Sequence, residues 1–291
     1  MLTDRQLYLG IALPGLISTA LVLVVVWRRW AIAMPTVLGI SVMAGYWLLR
    51  KPELPPQDGC DWLFWMQVPL MLGATVFQRM GVRGAPIGAM AGVVAFAVLR
   101  PIAPAIGPAA VWKSSLIAGA WGSAAAITLP WASRRIDASW IVGTLASVVG
   151  ATAVVVSSSS FLAYGVIGLG AAVAIIPIAL GLRWTGSGRC DDASAGVRGL
   201  SLMITALLAG LLAGGRYYPP TGVIPLHFHA LGAAPLLIPL ACCLPGKKDW
   251  VRGVAVVGLA SAVAWCIAIP PALAAKHAAE IADSHVATNV R

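Results

Sequence analysis

The charged residues of this chain fall into short clusters that separate long apolar stretches all the way from residue 7 to residue 275. The longest polar connection, residues 183–198, has sixteen residues. It has room for a turn or a short helix but not for a core. That pattern excludes a separate soluble domain. A bilayer core needs about twenty apolar residues per helix, with a range of about 17 to 25. On this ruler the sequence predicts an all-α, polytopic transmembrane helix bundle in one integral membrane domain, with about ten spans near residues 7–27, 31–49, 62–78, 84–99, 114–131, 139–157, 161–182, 199–215, 221–245 and 253–274. Residues 276–291 form a short tail. The fourth and eighth spans are short and residues 101–108 read as a re-entrant or interfacial piece, so nine or eleven spans remain open.

Composition agrees with that reading. Only 10% of the 291 residues are charged and 59% are hydrophobic, with a mean hydropathy of +0.88, whereas soluble domains carry roughly 25% charged residues. The net charge of +10 comes in ones and twos between apolar segments. It therefore reads as a set of topology determinants rather than as a nucleic-acid surface. With ten spans, Arg28, Arg29, Arg79, Arg83, Arg134, Arg135, Arg183, Arg189, Arg198, Lys247, Lys248 and Arg252 share one face, and Arg50, Lys51, Arg100, Lys113 and Arg216 the other. Twelve against five places the first face in the cytoplasm and both termini outside. Ten of the twelve tryptophans sit near span ends, as expected of the aromatic belt, while Trp121 and Trp265 fall inside spans. The amino-terminal apolar stretch is too long for a signal peptide and reads as a retained first span.

Chemistry is sparse. All ten carboxylates fall in predicted loops or termini, which disfavours a carrier or an aspartyl protease built on an intramembrane acid. No G-x-S-x-G, H-E-x-x-H, Walker or G-x-G-x-x-G pattern is present in a fitting context. Residues 157–160, all serine, read as a helix-end cap or loop. The five cysteines, Cys60, Cys190, Cys242, Cys243 and Cys266, show no metal or redox spacing and read as small apolar filler, with Cys60 outside and Cys190 inside. No cofactor is expected, and no hydrolase, kinase or redox activity of the chain alone.

Two loops on the outer face stand out. In residues 51–62, Asp61 and Trp62 read as cap and anchor of the third span, and Glu53, Asp58 and Asp61 are candidates to pair with Arg50 or Arg216. In residues 216–229, three prolines in ten residues oppose regular helix until about Pro225. Irregular backbone at membrane depth needs protein or a watery cavity around it. The expectation is an outward vestibule in which Arg216, Tyr217, His227 and His229 contact a ligand or partner. In a helix the two imidazoles diverge by about 200°; in an extended chain they share a face. Both are weak metal candidates, because no further ligand is near in sequence.

The spans are rich in Gly, Ala and Ser, which lets helices approach closely within the chain or against another subunit. The first functional expectation is a non-catalytic subunit or scaffold of a membrane complex, with the bilayer, other membrane subunits or a homo-oligomer as partners and no nucleic acid. The alternative is a small-solute transporter or channel, favoured slightly by proline- and glycine-broken spans in the fourth and ninth positions, and the third is an enzyme acting on lipid. The location is the cell membrane, the inner one in a Gram-negative organism.

Overall fold

A computed structural model describes residues 5–28, 30–80, 85–157, 162–184, 191–217, 225–243 and 249–289. The described residues are helical almost throughout, and no strand occurs among them. That follows from the solvent: in lipid each backbone N–H and C=O must be bonded within its own segment or a closed barrel. The helices are α1 (Leu13–Arg28), α2 (Met34–Leu49), α3 (Gly59–Trp65), α4 (Gln67–Met80), α5 (Ala85–Leu99), α6 (Ala103–Ile106), α7 (Pro108–Ala132), α8 (Ala138–Ser157), α9 (Leu162–Trp184), α10 (Asp191–Tyr217), α11 (Pro225–Ala233), α12 (Leu237–Cys242) and α13 (Asp249–Asn289). A π-helical stretch, Gln6–Ala12, leads into α1.

Eight helical stretches among the described residues are long and apolar enough to cross a membrane. They correspond to every expected span except the fifth and ninth, and each exception has a physical cause. Helix α7 has 25 residues, but Lys113, Ser114, Ser115, Ser123 and Thr128 dilute its hydropathy. The ninth is broken: α11 passes through a 3-10 turn, Ala234–Leu236, before α12. Pro235 is the middle residue of that turn and Pro239 follows in α12; neither has an N–H for the helical ladder. Residues 100–106 make a 3-10 turn and a single helical turn with no buried residue. Gly107, at φ 84°, turns the chain into α7; only glycine adopts that conformation without strain. The expected tail is a continuation of α13, which runs unbroken to Asn289.

Helix α10 is the centre of the bundle, with 89% of its apolar window buried, against 28% for α13 and 33% for the first stretch. Small residues set the packing. A side-chain carbon on Gly92 of α5 would lie 2.9 Å from the Ser115 carbonyl of α7, and one on Gly122 would lie 2.7 Å from Ala91. These contacts, with Gly88 against Gly119 and Ser123, run α5 and α7 antiparallel. Helices α1 and α9 instead run parallel: Gly10 meets Gly170, Gly15 meets Val173 and Val22 meets Gly181, and Ser18 donates to the Ala174 carbonyl at 2.6 Å. Helices α8 and α13 are parallel too, through Trp140 against Gly253 and the Trp265 indole N–H on Ser147 at 3.0 Å.

Two expectations in the 51–62 loop are corrected. Asp61 is fully buried in the first turn of α3 rather than lying in a loop, and the cap is Asp58, whose carboxylate accepts from the Asp61 N–H at 2.9 Å. Cys60 is likewise buried, so its thiol is not presented to the outside. The expectation for Cys190, and all but the first residue of the 157–160 serine run, lies outside the described residues.

Candidate functional site

Residues at helical spacing on three elements face one cavity. Helix α7 contributes Ser114, Ile117, Ala118, Trp121, Gly122 and Ala125; α10 contributes Thr205, Leu208, Ala209, Leu212, Ala213 and Arg216; and the broken helix contributes Phe228, His229, Gly232 and Pro235. The steps of three and four along α7 and α10 are those of a single helical face. The cavity volume is about 60 Å³.

Polar groups collect at one end. The Arg216 guanidinium donates to His229 Nε2 at 3.4 Å; an arginine carries donors only, so the imidazole nitrogen accepts. Arg216 also lies over the Tyr217 ring, 5.4 Å from its centroid. The Tyr217 hydroxyl meets Ser114 Oγ at 2.8 Å and donates to the Ala110 carbonyl at 3.3 Å, which ties the end of α10 to the start of α7. Lys113, which is exposed, precedes the lining residue Ser114 on α7. No carboxylate is among the described lining residues. Deeper in, the walls are apolar apart from Thr205, whose hydroxyl is spent on the Ser201 carbonyl of its own helix.

Of the four residues singled out in sequence, Arg216 and His229 line this cavity and Tyr217 braces its wall. His227 does not line it. Residues 225–233 are helical, so the two imidazoles diverge and only one can face α10. Among the described residues no group of three or more His, Cys, Asp or Glu side chains is placed to hold a metal ion. The irregular stretch expected before Pro225 lies outside the described residues. Trp121, Ser114 and Thr205 were not singled out as site residues; the only signal was a tryptophan too deep for the interfacial belt.

A wider groove lies beyond the break, with a volume of about 710 Å³ between α7 and α12, lined by Ala124, Ile127, Thr128, Trp131 and Arg134 on one side and Leu236, Pro239 and Leu240 on the other. No protein-family model matches the chain. Neither does any curated protein or solved structure.

The second polar cluster is self-contained. Buried Asp61 accepts from the Tyr46 hydroxyl at 2.9 Å and from the Gln57 N–H at 3.3 Å, while Asp58 pairs with Arg50 at 2.7 Å. A buried carboxylate is tolerated when hydrogen-bonded, and these bonds lock the 51–61 loop onto the ends of α2 and α3. Arg50 is partly buried, which disfavours its charge, yet Asp58, Tyr46 and Asp61 together outweigh this and raise its pKa above the ordinary arginine value. The Trp65 indole N–H completes the clamp on the Glu53 carbonyl at 3.0 Å.

Proposed function

We propose that this multi-pass membrane protein is a carrier that binds the anionic group of its solute at the Arg216–His229 end of the α7–α10–α11 cavity. The observation that carries the reading is the pairing itself: a guanidinium and an imidazole meet at the mouth of an otherwise apolar cavity with no lining carboxylate to neutralise them. Arginine, with five donors in a planar fork, suits oxyanions.

The packing supports ten crossings with both termini on one side. Parallel α1 and α9 need an odd number of crossings between them, which α2, α3–α4, α5, α7 and α8 supply. Parallel α8 and α13 need an odd number as well, which α9, α10 and the broken α11–α12 supply. The twelve-to-five distribution of basic residues then favours exoplasmic termini in a cell membrane, with the cavity's polar end facing outward. A carrier is favoured over a non-catalytic subunit because the small-residue faces are consumed within the chain. Among the described glycines of the helices, only Gly143 and Gly258 face open space.

The test is flux. Proteoliposomes loaded with radiolabelled phenyl phosphate should release it faster than protein-free vesicles, and Arg216→Gln should return the rate to that of the empty vesicles. Release by the wild type no faster than from protein-free vesicles contradicts the carrier reading, and a co-purifying chain in the same preparation would favour the subunit instead.

A further inference from the structure

The cavity is chemically two-ended, and its second end says what the rest of the solute is. We infer that the anion is the phosphate head of a single-chain amphiphile whose apolar chain lies along α7 and enters sideways from the lipid through the α7–α12 groove. This rests on the anion reading of the cavity and adds the class of molecule and its route.

Charge and donor geometry favour phosphate. Arg216 supplies a formal positive charge at the polar end, and a phosphate monoester meets it with up to two negative charges. Arg216 and His229 approach from two different helices, α10 and α11. A tetrahedral head with three terminal oxygens answers donors from several directions, whereas a carboxylate offers two oxygens in one plane.

Depth and lining favour a chain. From Ser114 to Ala125 the cavity follows α7 for eleven residues, about 16 Å at 1.5 Å per residue, close to half of a bilayer core of about 30 Å. Over that length a small hydrated anion meets Ile117, Trp121 and Leu208 and finds no free hydroxyl, since that of Thr205 is bonded to its own helix. A methylene chain loses nothing there, because the lining is as apolar as the lipid it leaves. The cavity ends where the groove begins: Ala125 and Pro235 line the first, and their chain neighbours Ala124 and Leu236 line the second. The 3-10 turn at Ala234–Leu236 therefore lies between a head-binding half and a lipid-facing half.

Photo-crosslinking of the full chain in neutral phosphatidylcholine nanodiscs tests this. The probe is a long-chain alkyl phosphate with a diazirine near the chain end. Labelling should map to α7 and α11–α12, be displaced by dodecyl phosphate but not by dodecanol, and fall about tenfold in Arg216→Gln, the loss expected when a charge-assisted hydrogen bond is removed. Thr128→Trp, which fills the groove far from the head site, should slow labelling several-fold while leaving phenyl phosphate binding intact. Label on the outer faces of α1 and α13, or equal displacement by dodecanol, overturns the amphiphile while leaving the anion reading standing if phenyl phosphate still binds through Arg216. Unchanged labelling of Thr128→Trp overturns the sideways route. Failure of every anion to bind sinks both readings together.

Discussion

The tight seam between α5 and α7 supports the cavity wall, and one methyl group tests it. In Gly88→Ala the new carbon would fall inside van der Waals contact of both the Ser123 hydroxyl and the Gly119 carbonyl. The serine can rotate away, but the carbonyl belongs to a helix and can yield only if the two helices separate. Overpacking of this kind costs about 1–3 kcal/mol, partly offset by the roughly 0.8–1.0 kcal/mol that alanine gains over glycine inside a helix. Gly258 in α13 is the matched control, because a carbon there meets nothing within 4 Å. Gly258→Ala should therefore keep only the helix gain. The two variants differ by the packing term alone, about 1–3 kcal/mol, which at roughly 2–4 °C per kcal/mol separates their melting temperatures by roughly 2 to 12 °C. Thermal melts of the purified protein in one detergent, read by loss of the monodisperse peak, measure this difference. If Gly88→Ala melts with Gly258→Ala or above it, the close approach of α5 and α7 is wrong.

Three further outcomes follow from the polar contacts and the packing. Asp58→Asn keeps a capping oxygen and loses only a partly exposed ion pair, so it should cost under about 1 kcal/mol; Asp58→Ala loses the cap as well, a further 0.5–2 kcal/mol or about that, and equal melting of the two would remove the cap from the account. With a membrane-impermeant maleimide on intact cells, Lys51→Cys should label at once and Arg135→Cys only after permeabilisation, while native Cys60 stays unlabelled because it is buried; labelling in the opposite order inverts the topology. His229→Ala should lower phenyl phosphate release several-fold and His227→Ala should leave it unchanged, since only His229 lines the cavity; equal losses would return both histidines to a shared role.

Much of the architecture is legible in the sequence because lipid imposes a length on each helix and a place on each charge. The eight long stretches follow from apolar runs alone. The fifth and ninth are harder, because α7 carries hydroxyls and a lysine that lower its hydropathy, and Pro235 and Pro239 interrupt the last crossing before α13. Arg216 and His229 could be paired in advance because thirteen residues separate them. Their neighbours could not: Ser114 lies 103 residues from Tyr217, and only the packing of α7 against α10 brings the two together. Burial of Asp61 was hidden for a similar reason, since its partner Tyr46 sits at the end of a different helix. Small residues announced close packing without naming partners, and partner choice depends on which grooves face one another.

The most direct test is equilibrium binding of radiolabelled phenyl phosphate to the purified protein in nanodiscs, compared among wild type, Arg216→Gln and Arg50→Gln. Arg50 is a fair control, because it is an outward arginine held by a defined contact away from the cavity, its pair with Asp58. The proposed site requires saturable binding near one molecule per chain that Arg216→Gln abolishes and Arg50→Gln leaves intact. Binding that survives in Arg216→Gln, or that both variants lose equally, would contradict an anion site at the Arg216–His229 cavity.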